Sequence, residues 1–206
     1  MIRKVAGQKA SFPIETVRAA AIIILVSFHV IGGPDGRGLG LNAAHPLRLY
    51  ADLLVDLRMP LFAFVSGLVY AIRPVSPEDL GKFLQGKVRR LVVPGAVAMT
   101  LFAITAVVTG AASQPPDPIW MMYFSGYSIF WFLQAILLIF FTVGIADIIS
   151  RGKLLLPMLA GSSLAICFGW TFSSTLMSAD RVTSLLPYFL LGVLFIRRKD
   201  SLISRR

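Results

Sequence analysis

Apolar residues in this chain are gathered into blocks of roughly 15–22, set apart by short charged or Pro/Gly-rich stretches, and that is about the length that crosses the hydrocarbon core of a bilayer. Of the 206 residues, 56% are hydrophobic and only 15% charged, well outside the range of ordinary soluble domains. A water-soluble enzyme, a disordered chain and a disulfide scaffold are excluded. The single cysteine, Cys167, lies inside an apolar block, so neither an intrachain disulfide nor a multi-cysteine metal site is available.

Six spans divide the sequence best, over residues 19–33, 49–72, 91–110, 128–149, 154–172 and 182–196. All are expected to be helices, because an open sheet leaves its backbone unsatisfied in lipid. The fold class is therefore an all-α transmembrane bundle, read as one membrane-embedded domain over 1–206 with a basic amphipathic segment at 74–90.

The net charge of +10 is a topology signal rather than a nucleic-acid patch. One side collects Arg3, Lys4, Lys9 and Arg18, then Arg73, Lys82, Lys87, Arg89 and Arg90. The same side takes Arg151, Lys153, Arg197, Arg198, Lys199, Arg205 and Arg206, whereas the other keeps Arg37, Arg48 and Arg181. Both termini are thus expected in the cytoplasm. The basic start followed by an apolar run imitates a signal peptide, but the run carries His29 and further spans follow, so cleavage is not expected.

Ionisable groups inside a span are costly, so each needs an explanation. Arg18 and His29 are eleven residues apart, which is about 20° from three full helical turns and about 16 Å of rise. They share one face, an arrangement suited to a long ligand lying along the helix. The bland alternative is an Arg reaching headgroups and a His bonded to a neighbouring helix. Asp52 and Asp56 lie one turn apart with Arg58 close behind, and Pro60 removes a helical hydrogen bond. They form either an acceptor-binding vestibule or an interfacial turn.

Lys87, Arg89 and Arg90 make a compact cation cluster at the end of a short cytoplasmic helix, a pattern that positive-inside flanks also produce. Asp147 is placed to pair with Arg151, four residues on. The glycines at 36, 38 and 40 lack the residues of a phosphate cradle, and His45 before Pro46 reads as structural. The aromatics from Trp120 to Trp131 suit an interfacial belt. No metal-ligand spacing and no Gly-x-Ser-x-Gly elbow occurs.

Taken in order, several stretches resemble the acyltransferase-3 family of integral membrane O-acyltransferases. ETVRAAAIIILVSFHV carries the Arg, ten residues, His arrangement as Arg18 and His29. MPLFAFVSGLVYA is similar to the family's Pro-Leu-Phe-Phe-Phe-x-Ser-Gly run, and KVRRLVVP to its basic pair before Leu-x-x-Pro. FWFLQAILL and PYFLLGVLF resemble later segments. The likeness covers nearly all of this chain and the N-terminal part, somewhat over half, of a typical member. The family's Arg-x-x-Arg pair stands here as Lys87-x-x-Arg90, which keeps charge but loses one bidentate fork.

The resemblance implies a membrane enzyme in a bacterial inner membrane, moving an acyl group from cytosolic acyl-CoA to a carbohydrate or glycolipid hydroxyl. Acyl-CoA would be the donor substrate, with no resident cofactor or metal. Its phosphates would dock on Lys87, Arg89 and Arg90, and its arm would follow the Arg18–His29 stripe. His29 would be general base or acyl carrier, Arg18 would hold the donor or offset developing negative charge, and Asp52, Asp56 or Arg58 would orient the acceptor. Partners beyond lipid, donor and acceptor would be a C-terminal complement or a second copy, and no nucleic acid. The rival readings are a non-enzymatic export subunit for surface polysaccharide, with His29 and Asp52/Asp56 on a proton or substrate path, and an inactive shortened member.

Overall fold

A computed structural model describes residues 14–32, 38–111, 113–174 and 176–203. Outside these lie Arg3, Lys4, Lys9, Gly36, Arg37, Arg205 and Arg206, together with the side chain of Lys199. The described residues form helices joined by turns, with no strand. In chain order the helices are α1 (Ile14–Ile31), α2 (Pro46–Ile72), α3 (Leu80–Lys87), α4 (Val93–Thr109), α5 (Trp131–Ser150), α6 (Leu155–Cys167) and α7 (Ala179–Ile203).

Each of the six expected spans coincides with a helix, but the lengths differ. Four stretches are long and apolar enough to cross a bilayer: Pro46–Ile72, Leu80–Thr109, Ile119–Ser150 and Leu176–Arg198. α1 has 18 residues and takes Glu15 and Arg18 into its first turns. α6 has only 13 residues, about 20 Å, short of the hydrocarbon core. Gly169 stops it by adopting φ +66, where its N–H bonds the Ile166 carbonyl 3.0 Å away. The fifth apolar block therefore continues past the helix end as exposed Phe168 and Trp170.

Local sequence explains the other ends. His45 starts α2, its Nδ1 accepting from the Leu47 N–H at 3.2 Å, with Pro46 at the first helical position. Asp79 precedes α3, and hydrogen bonds from Lys82 at 3.0 Å and Ser76 at 3.1 Å hold its carboxyl below the usual range. Gly110, at φ 65, ends α4.

The basic amphipathic helix and the third span are one continuous helix. Between α3 and α4 lies a π turn, Val88–Val92, in which the Val93 N–H bonds back to the Val88 carbonyl. Pro94 has no N–H to offer the Arg90 carbonyl, so a regular α ladder is broken at this point whatever the packing.

The core lies where α2, α5 and α7 meet, with Phe189, Leu68, Ile139, Leu190, Val143 and Val193 fully buried. α2 and α7 approach backbone to backbone. A Cβ on Gly67 would run into the Phe189 carbonyl, and one on Gly192 would run into the Phe64 carbonyl. Without a hydrophobic drive between helices in lipid, such close approach through small residues is what packing offers.

Candidate functional site

α1 packs chiefly on α2, and Ala21 and Ile31 are its buried residues. Arg18 and His29 keep their common face but lie beside that contact, not inside it, with both side chains exposed. Arg18 pairs with Glu15 at 3.4 Å. The His29 ring meets the adjacent Phe28 ring edge-on at 5.9 Å.

Of the three ionisable residues singled out on α2, Arg58 alone is turned toward α1. Its guanidinium carbon sits 3.5 Å from the centre of the Phe28 ring, a cation–π contact that brings its charge to the neighbourhood of His29. Nε and Nη1 of Arg58 are buried and carry no hydrogen bond. Asp52 instead accepts from Nε of Arg48 at 3.0 and 2.9 Å, and Arg48 is only 8% exposed. Asp56 is exposed. The structure thus brings His29 and Arg58 together and leaves Asp52 and Asp56 in other surroundings.

The cation cluster is split as well. Lys87 places Nζ 3.1 Å from the centre of the Phe140 ring and 5.1 Å from that of Phe83, turned toward α5. Arg89 and Arg90 stay exposed on the π turn.

Asp147 does not make the pair with Arg151 that their spacing predicts. Arg151 leaves the helix at φ 51, and Asp147 accepts instead from Arg197 of α7 at 3.0 and 2.5 Å. The Tyr70 hydroxyl of α2 donates to the same carboxylate at 2.8 Å. This charge-assisted fork joins α2, α5 and α7 near their ends.

Sequence reasoning passed over Gln134. It lies buried on α5, where Oε1 accepts from the Gly126 N–H at 2.8 Å and from the Ser178 hydroxyl at 3.1 Å, while Nε2 donates to the Tyr123 carbonyl at 2.9 Å. An amide amid FWFLQAILL was the available signal, because a polar group in an apolar helix needs partners. Phe28, Tyr70 and Arg197 gave no comparable sign. Among the described residues no group of His, Cys, Asp or Glu is placed to hold a metal.

The described residues are helical with no strand and include four bilayer-length apolar stretches, the make-up of an integral membrane protein. The family model described as an acyltransferase domain, that of the acyltransferase-3 family, matches residues 14–206. The chain belongs to this family, which makes it a membrane acyltransferase in general terms. No curated protein and no solved structure matches it.

Proposed function

We propose that the chain transfers an acyl group, acetyl foremost, from cytosolic acyl-CoA to a hydroxyl of a carbohydrate or surface-glycan precursor in the bacterial inner membrane. The observation that carries this is the shared face of Arg18 and His29 on α1, with Arg58 of α2 beside His29.

With the N-terminus in the cytoplasm, Arg18 stands at the donor's entrance and His29 about 16 Å deeper, a separation that an extended pantetheine arm can follow. The donor's phosphates meet Arg89 and Arg90, which are exposed, while Lys87 adds charge from its place over Phe140. His29 takes the proton of the acceptor hydroxyl as its oxygen attacks the thioester carbonyl. Collapse of the tetrahedral intermediate breaks the carbon–sulfur bond, and the departing thiolate receives that proton. The products are an ester and free coenzyme A.

The test is acyl transfer from labelled acetyl-CoA in inside-out vesicles, comparing the natural chain with His29→Ala. A loss of about a hundredfold or more with insertion unchanged is expected. Transfer that survives the substitution removes His29 from the chemistry. Export that proceeds without any donor would replace the reading by that of a transport subunit.

A further inference from the structure

Arg58 lies near the midpoint of the 27-residue α2, where an ionised side chain must find compensation. A guanidinium stays protonated whatever its surroundings, so deprotonation gives no relief. Among the described residues no carboxylate is hydrogen-bonded to it at Nε or Nη1. Asp56, two residues away along the helix, projects about 160° from it and reaches it only as a charge through space, and Asp52 is held by Arg48. What Arg58 has is the face of Phe28 at 3.5 Å, which supports the flat side of the cation and leaves its edge donors free. Nε and Nη1 carry no hydrogen bond in the inner part of a side chain that is otherwise partly exposed.

Unpaired N–H groups on a permanent, half-buried cation are a strong site for an oxyanion. Carboxylate and phosphate both match the guanidinium fork, which a point-charge ammonium does not reproduce. The neighbouring residue along α1 is His29, so an anion bound at Arg58 lies within a sugar's reach of the imidazole. The guanidinium rests on Phe28 and is not bonded to the imidazole, which leaves His29 free for a hydroxyl.

We infer that Arg58 binds a carboxylate or phosphate carried by the acyl acceptor, so that the acceptor is an acidic sugar or a sugar phosphate and not a neutral glycan. This rests on the acyltransferase reading and narrows its substrate class. Arg58 is then the specificity-determining residue, and His29 acts on a hydroxyl of the molecule that Arg58 holds.

The experiment measures the thermal unfolding midpoint of the full chain in neutral maltoside detergent with glucuronate, glucose 6-phosphate or glucose. At tenfold above its Kd, an anionic sugar is expected to raise the midpoint by about 3 °C, with glucose giving no shift. Arg58→Gln loses the response, Arg58→Lys keeps a reduced one, and His29→Ala retains it. If Arg58→Gln does not fold, the reduced response of Arg58→Lys carries the comparison. Equal stabilisation by glucose, a full response in Arg58→Gln, or no response to either anion at its solubility limit overturns the proposal. A further arm adds phosphatidylglycerol. Stabilisation by that lipid alone, dependent on Arg58, assigns the anion to a headgroup and overturns the acceptor assignment. The readout uses no acyl donor, so failure of transfer and failure of anion binding are separate results.

Discussion

Gly67 of α2 and Gly192 of α7 face the partner helix's backbone from opposite sides of one crossing, each pressed against a carbonyl of the other helix. The two stretches that contain them, MPLFAFVSGLVYA and PYFLLGVLF, are separated by more than half the chain and are brought together by this crossing. Their glycines answer a packing demand, since α2 and α7 cannot come this close with a Cβ between them. Part of the family likeness is therefore a likeness of scaffold, distinct from the Arg18–His29 helix.

Alanine at Gly67 or Gly192 is expected to force the helices apart and cost at least about 2 kcal/mol. Alanine at Gly161, where a Cβ meets open space, should cost nothing measurable. Thermal midpoints of the three variants in one detergent check the contrast. A Gly67→Ala protein as stable as the parent would mean that the crossing is looser than described.

Asp147→Asn should destabilise by about 2–3 kcal/mol, because Arg197 would lose its counter-charge while the site stays mostly dry. Tyr70→Phe removes one hydrogen bond to the same carboxylate and should cost about 1–2 kcal/mol. A double-mutant cycle between Asp147 and Arg197 is expected to show coupling, and one between Asp147 and Arg151 none.

Gln134→Leu would leave the Gly126 N–H and the Tyr123 carbonyl without their present partner. Loosening of residues 119–130 and of the turn at Ser178 is expected, read as faster protease cleavage there and a loss of about 1–3 kcal/mol. The cut sites discriminate, since general unfolding would expose the rest of the chain equally.

The three cations near the π turn should separate in kinetics. Arg89→Gln and Arg90→Gln should each raise KM for acyl-CoA several-fold and flatten its dependence on salt. Lys87→Met keeps the apolar stem over Phe140 and is expected to change KM less. Titrating donor concentration at two ionic strengths measures this. A larger effect from Lys87 than from either arginine would mean that it swings off the ring to meet phosphate.

The helices were legible because the apolar blocks are long and their flanks are charged. What the sequence hid was tertiary. Asp147 and Arg151 satisfy the four-residue rule, yet Arg151 sits in the left-handed turn that ends α5, and a guanidinium fifty residues away takes the carboxylate. The block at 154–172 is uniformly apolar, but one glycine in a left-handed conformation ends α6 early. On the α1–α2 side, helical spacing put Arg18 and His29 on one face. It placed Asp52, Asp56 and Arg58 close in sequence without saying which of them turns toward α1. Arg48 stands four residues before Asp52, so that pair was open to the four-residue rule, whereas the ring that Phe28 offers Arg58 is visible only once the helices are packed.

The π turn at Val88–Val92 sets the phase of the long helix that contains it. Lys87 and Gly95 both address α5, the first at Phe140 and the second at Leu133. Eight residues of regular α-helix would leave them about 80° out of step. Widening one turn to the i+5 pattern subtracts roughly 90° and brings them into line. The surplus residue is a half-notch in a ratchet: delete it, and either the basic end or the glycine end must rotate off its neighbour.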